Sequence, residues 1–103
     1  MNIRDMVRGW FIGDFEPSVR KTDAFEVAIQ EYKKGDQESM HYHKIAEEIT
    51  VLVRGSASFN GVVYDEGDIV VIPPGQANEF IALSDVIAVV VKTPSVKGDK
   101  YLV

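Results

Sequence analysis

The chain is predicted to be a single all-β barrel, and three observations carry that prediction. Apolar and polar residues alternate with a period of two, and a helical period is hard to find anywhere. Turn chemistry recurs at short intervals, at Lys34-Gly35-Asp36, Asn60-Gly61, Asp65-Glu66-Gly67-Asp68, Pro73-Pro74-Gly75 and Ser84-Asp85. The length of 103 residues suits one domain, 1–103, with one core. Short, evenly spaced strands with such turns between them build sandwiches and barrels.

The elements are expected in the following order. Residues 1–20 carry the aromatic-rich stretch Gly9-Trp10-Phe11-Ile12-Gly13-Asp14-Phe15, read as an N-terminal arm or an extra strand packed on the barrel. Ala24 to Tyr32 alternates, with Phe25, Val27 and Ile29 on one face and Glu26, Ala28 and Gln30 on the other. Ser39 to His43 is a short strand, and Lys44 to Glu47 turns the chain. Glu48 to Val53 is a strand with both faces largely apolar, ended by Arg54-Gly55. Ala57-Ser58-Phe59 and Val62-Val63-Tyr64 flank Asn60-Gly61, a strong hairpin signal, because a type I′ turn needs positive φ at both central positions. Ile69 to Ile72, Asn78 to Leu83 and Val86 to Thr93 are the remaining strands, and 94–103 is a polar C-terminal tail.

Composition excludes several functions. With no cysteine there is no thiolate catalysis, no thiolate zinc site and no iron–sulfur cluster. A net charge of -5 argues against a nucleic-acid partner, and the basic pairs Arg20-Lys21 and Lys33-Lys34 are too few to reverse that. The first residues are mixed and charged, with no apolar secretory core, and no stretch approaches a membrane span. A cytoplasmic location and no membrane partner are the expectation.

The chemistry concentrates at the only two histidines, His41 and His43. On a helix, side chains two apart diverge. On a strand they share a face, roughly 6–7 Å apart at Cβ. Glu48 follows across a turn. Two imidazoles and one carboxylate on one face suit a divalent transition metal with open positions. The competing reading is a solvated strand end that happens to carry two histidines. Glu47 is the ligand instead if the strand register differs by one residue.

These residues resemble the first motif of the cupin superfamily, G-x5-H-x-H-x(3,4)-E-x6-G. Gly35, His41, His43, Glu48 and Gly55 fill its fixed positions. The second motif, G-x5-P-x-G-x2-H-x3-N, is matched by Gly67, Pro73 and Gly75. It departs at Asn78, where a third histidine would stand, and at Ala82, where its final asparagine would stand. The resemblance implies a small conical, jelly-roll-like barrel (a double-stranded β-helix) with a metal at its centre. Carried over, the ligands are His41, His43 and Glu48, with Asn78 as a weak or substituted ligand. The divalent metal would be Fe, Mn, Ni, Zn or Co.

Further expectations follow from strand alternation. Thr50 and Leu52 share the Glu48 face and line the pocket, as does Phe80 beside Asn78, with ordinary barrel filling as the competing role. Tyr42 faces away from the pocket and packs between the sheets. Ile49, Val51 and Val53 form an apolar opposite face that a second subunit would cover, giving a homodimer. Three functions stay open, with no catalytic residue assigned. One is a metal-dependent enzyme of oxygenase or isomerase type on a small polar molecule. Another is a metal-free binder of a sugar or small acid. The third is a sugar-nucleotide epimerase or isomerase with a histidine base.

Overall fold

The structure is a computed structural model that describes residues 1–103. Its strands are β1 (Trp10–Ile12), β2 (Glu26–Tyr32), β3 (Gln37–Tyr42), β4 (Glu47–Arg54), β5 (Ala57–Phe59), β6 (Val62–Tyr64), β7 (Ile69–Ile72), β8 (Asn78–Ala82), β9 (Val86–Thr93) and β10 (Tyr101–Leu102). The one helical piece is a 3-10 turn, Ile3–Asp5, capped by Asn2. The expected all-β class is therefore the observed one.

The strands form two five-stranded sheets, ordered β1-β2-β9-β4-β7 and β10-β3-β8-β5-β6. Every pairing is antiparallel, and only β1–β2 and β5–β6 join strands that are consecutive in the chain. The chain thus crosses repeatedly from sheet to sheet and closes a barrel between them. The Asn60-Gly61 hairpin forms as expected, with φ of 53° and 81°. Gly55 is required for another reason: its φ is +87°, and a Cβ there would collide with the backbone oxygen of Asp85.

Cross-strand register sorts the first sheet into inward rows. Glu26, Lys92 and Glu48 form one row, Ala28, Val90 and Thr50 the next, and Gln30, Ala88 and Leu52 a third. The apolar end of the barrel is closed by a cluster that includes Leu52, Ala57, Phe59, Phe80, Ala82 and Val86. The polar rows lie at the other end, where β2, β4 and β8 begin and β3 and β9 finish.

Several expectations are corrected. The alternation over 24–32 is as expected, and the structure adds its direction: Glu26, Ala28 and Gln30 point inward, while Phe25 and Ile29 are exposed outside. Leu52 shares the Glu48 face yet does not line the cavity, because it is fully buried in the apolar plug. Tyr42 turns away from the pocket, as expected, but it stacks on Tyr101 of the edge strand (ring centroids 5.4 Å apart) instead of packing between the sheets. The C-terminal tail is built into the fold, since Tyr101 and Leu102 pair with Tyr42 and His41. The N-terminal segment supplies the extra strand β1, paired to β2.

Candidate functional site

His41 lies near the end of β3, directly across from Asn78 at the start of β8. Both side chains are buried, as is that of His43 one residue beyond the strand. The two imidazoles meet edge to face, with ring centroids 5.3 Å apart. His41 Nδ1 lies 2.8 Å from the Ser39 carbonyl oxygen. It donates its proton there, which leaves Nε2 unprotonated in the neutral ring. The two motifs also meet through the backbone: the Gly75 N–H donates to the His43 carbonyl at 2.7 Å. The turn Pro73-Pro74-Gly75 is thereby tied to the histidine strand.

Glu48 points inward with Thr50, and the Thr50 hydroxyl donates to Glu48 Oε2 at 3.3 Å. Glu47 lies on the other face. Burial pushes the Glu48 and Glu26 carboxyls up, and the Lys92 ammonium pulls each part of the way back. Burial, and then the charge of Lys92, lower the His43 imidazole to about 4, so it is neutral at physiological pH. The buried side-chain atoms without a hydrogen-bond partner are Ser18 Oγ, His43 Nε2 and Asn78 Oδ1.

A cavity of about 740 Å³ opens at this end of the barrel. His41, Glu48, Thr50, Asn78, Phe80 and Tyr32 line it. His43 instead borders an adjoining hollow of about 390 Å³ with Glu26 and Asp99, and Lys92 reaches both spaces. As the side chains stand, no three His, Asp or Glu groups are close enough together to hold an ion. One oxygen of the Glu48 carboxylate, Oε2, accepts from Thr50, which leaves Oε1 without that hydrogen bond.

Four further residues of the site escape sequence reading. Tyr32 closes the alternation of β2; its hydroxyl lies 2.6 Å from Gln30 Oε1 and 2.9 Å from Glu38 Oε1, and its ring tilts against Phe80. Burial, and then Glu38, push its phenol well above the usual range, so it keeps its proton and acts as a donor. Glu38 itself precedes the histidines on β3. Lys92 continues the inward set Ala88, Val90 beyond the apolar run of β9, and only that alternation would have flagged it. Asp99 accepts the backbone N–H groups of Lys44, Ile45 and Ala46 and shares the His43 hollow. Its oxygens are committed to those N–H groups, so it is poorly placed to orient a histidine base.

No protein-family model matches the chain, and no curated protein matches it in sequence. Solved structures do resemble it. An uncharacterised Klebsiella pneumoniae protein with a double-stranded β-helix domain superposes with a TM-score of 0.73 at 22% identity, covering 99% of this chain and 88% of that one. An RmlC-like cupin from Desulfovibrio desulfuricans gives 0.65 at 23% identity, covering 76% and 79%. Bacillus subtilis oxalate decarboxylase, which has Mn(II) centres, gives 0.67 at 19% identity, covering 80% of this chain and 25% of that one. The chain has the cupin fold.

Proposed function

We propose that this barrel binds a small polar molecule in the cavity at its open end, beside a divalent metal held by His41, His43 and Glu48, with Asn78 as a weaker fourth ligand. One observation carries the metal half of this reading. Two of the three buried atoms without a partner, His43 Nε2 and Asn78 Oδ1, belong to the four positions that the motif would assign to the metal. A buried polar atom without a partner costs free energy, so each of the two calls for a ligand. The donor chemistry fits, since neutral imidazoles and an amide oxygen suit a divalent transition ion. The fold shared with oxalate decarboxylase and its Mn(II) centres supports the same reading.

Bound there, the metal would polarise an oxygen of the small molecule. The chain's own residues would do the remaining work. Ser39 fixes the His41 tautomer. Tyr32, whose hydroxyl is held by Gln30 and Glu38, would wall the cavity together with Phe80. Burial raises the Glu48 carboxyl and the charge of Lys92 pulls it part of the way back.

A specific observation favours a second reading, a metal-free binder of a sugar or small acid. Lys92 stands beside Glu48 and supplies a positive charge without any metal. Elemental analysis of protein purified without a histidine tag separates the two, together with calorimetry against Mn, Co, Ni and Zn. One equivalent of metal with low-micromolar affinity supports the first reading. Absence of binding by all four metals removes it.

The outer face of the first sheet is the third part of the proposal. Val27, Val91, Ile49 and Val71 form one outward row, and Ile29, Val89, Val51 and Ile69 the next. Ile69 is 61% and Val71 53% exposed, a large apolar patch for a lone domain. It spans four strands, about 15–20 Å at ordinary strand spacing. Its proposed occupant is a second copy of the chain, because both rows are wholly apolar and two such faces can pack sheet on sheet about a twofold axis. Opposite charges at one edge, Glu31 and Arg54, both opposite Ile87, add a polar rim.

A further inference from the structure

We propose that Lys92 anchors an anionic group, and that the cavity's ligand is therefore a small molecule bearing a carboxylate or a phosphate. The inference rests on reading this cavity as the binding site, and it adds the ligand's chemical class.

Lys92 sits in an inward row with a carboxylate on each side, Glu26 on β2 and Glu48 on β4. A lysine so placed would be expected to close an ion pair. It closes none: the ion pairs of the structure are Lys21 with Glu16 and Lys97 with Asp14. The Lys92 ammonium lies instead 4.9 Å from the centre of the Trp10 ring, over its face. It is half-buried and borders both the main cavity and the His43 hollow. Lysine is rarely turned inward without a partner, because desolvating an ammonium is costly. Glu26 and Glu48 feel its charge across the row, but neither makes an ion-pair contact with it.

The rest of the mouth agrees. Arg4 and Arg8 from the N-terminal segment and Lys100 from the C-terminal segment also line the cavity. None of the three has a carboxylate within ion-pair distance. The chain as a whole carries 16 acidic and 11 basic residues, whereas this cavity is lined by the four cations Arg4, Arg8, Lys92 and Lys100 against the three carboxylates Glu31, Glu38 and Glu48, which runs against the overall balance. Such an arrangement draws an anion in and holds it at the innermost cation.

The test uses metal-stripped full-length protein, titrated with succinate, inorganic phosphate and the neutral analogue succinamide. Binding is read by calorimetry and by emission of Trp10, the sole tryptophan, which lies against Lys92. At least one anion is expected to bind roughly tenfold or more tighter than succinamide, and which anion wins distinguishes a carboxylate ligand from a phosphate ligand. Lys92→Met should weaken that binding by about tenfold or more, whereas Lys92→Arg should hold it within about threefold. Equal affinity for succinamide and both anions overturns the proposal, as does a folded Lys92→Met variant that binds as tightly as the parent. Should Lys92→Met fail to fold, Lys92→Gln takes its place, and the comparison of charged and neutral probes on the parent decides. Metal uptake is measured on the same preparations. Anion binding without metal uptake removes the metal reading alone, and metal uptake without charge discrimination removes this inference alone.

Discussion

The Asp99 carboxylate accepts the Ala46 backbone N–H at 2.9 Å, across 53 positions of chain. It also accepts the N–H groups of Lys44, at 2.9 Å, and Ile45, at 3.1 Å. One side chain from the C-terminal segment thus pins the turn between His43 and Glu48. Asp99→Asn keeps the shape but removes the charge and turns an amide toward N–H donors. Urea unfolding should show a loss of about 2–4 kcal/mol, the scale of charge-assisted hydrogen bonds left unmade. A loss below about 0.5 kcal/mol would mean that the turn holds itself.

The same residue sets an acid limit. Burial alone would push the Asp99 carboxyl up, but the N–H groups of Ala46, Lys44 and Ile45 outweigh it and hold the group below its ordinary 3.8. A carboxyl that titrates lower when folded stabilises the fold in full above its unfolded value. That contribution fades as pH falls through the folded one. Glu26 and Glu48 act oppositely, because their raised values make protonation favour the folded state. The difference between parent and Asp99→Asn isolates the one group. It should be constant from pH 7 to about pH 4 and shrink below that, as followed by urea midpoints. A difference unchanged down to pH 2 would contradict the carboxylate's role.

Glu48 and Glu47 offer a test of register. Glu48 shares the inward row with Lys92 and meets Thr50, while Glu47 faces outward opposite Thr93. Glu48→Gln should weaken cobalt or nickel binding by about tenfold or more in calorimetry, with Glu47→Gln within about threefold of the parent. Equal losses would place the metal elsewhere, since strand faces alternate strictly.

How much of this was legible in the sequence depended on which physics was local. The Asn60-Gly61 hairpin was readable because its turn type needs residues tolerant of positive φ. The inward set Glu48, Thr50, Leu52 was readable from period two, but where the cavity stops and the plug begins was not. That boundary is set by Phe59, Phe80 and Val86 from distant strands. The Phe25, Val27, Ile29 face was visible as apolar, yet nothing local said that it points outward. Lys92 looked like a surface lysine, because the carboxylates flanking it come from β2 and β4. Asp99 acts over more than 50 residues, and no window of sequence contains both ends of that contact.

The outer sheet face predicts assembly. Ile69→Lys and Val71→Lys each place a charge at the β7 end of an apolar row, where exposure is greatest. Light scattering at micromolar concentration should give twice the chain mass for the parent and the single chain mass for either variant. Both positions are exposed, so the fold itself should survive with a stability change of about 1 kcal/mol or less. A parent that runs as a monomer at that concentration would end the dimer proposal.

Asn78 sets the strength of the metal site. It faces His41 directly across the β3–β8 ladder, it is 5% exposed, and its Oδ1 has no partner. An amide oxygen is a weaker and harder donor than imidazole toward late transition metals. Asn78→His should therefore tighten zinc, nickel or cobalt binding by at least about tenfold, or about 1.4 kcal/mol. The backbone that places the residue is already in position, since the Gly75 N–H ties the preceding turn to the His43 carbonyl. The imidazole is larger than the amide, but the cavity bordering Asn78 gives it space to extend. Calorimetry on parent and variant, with circular dichroism to establish that both are folded, reads the difference. A folded variant with unchanged or weaker binding would mean that position 78 does not point at the imidazoles when metal is present. The partnerless Oδ1 would then serve the small molecule instead, and the metal-free reading of the cavity would take precedence.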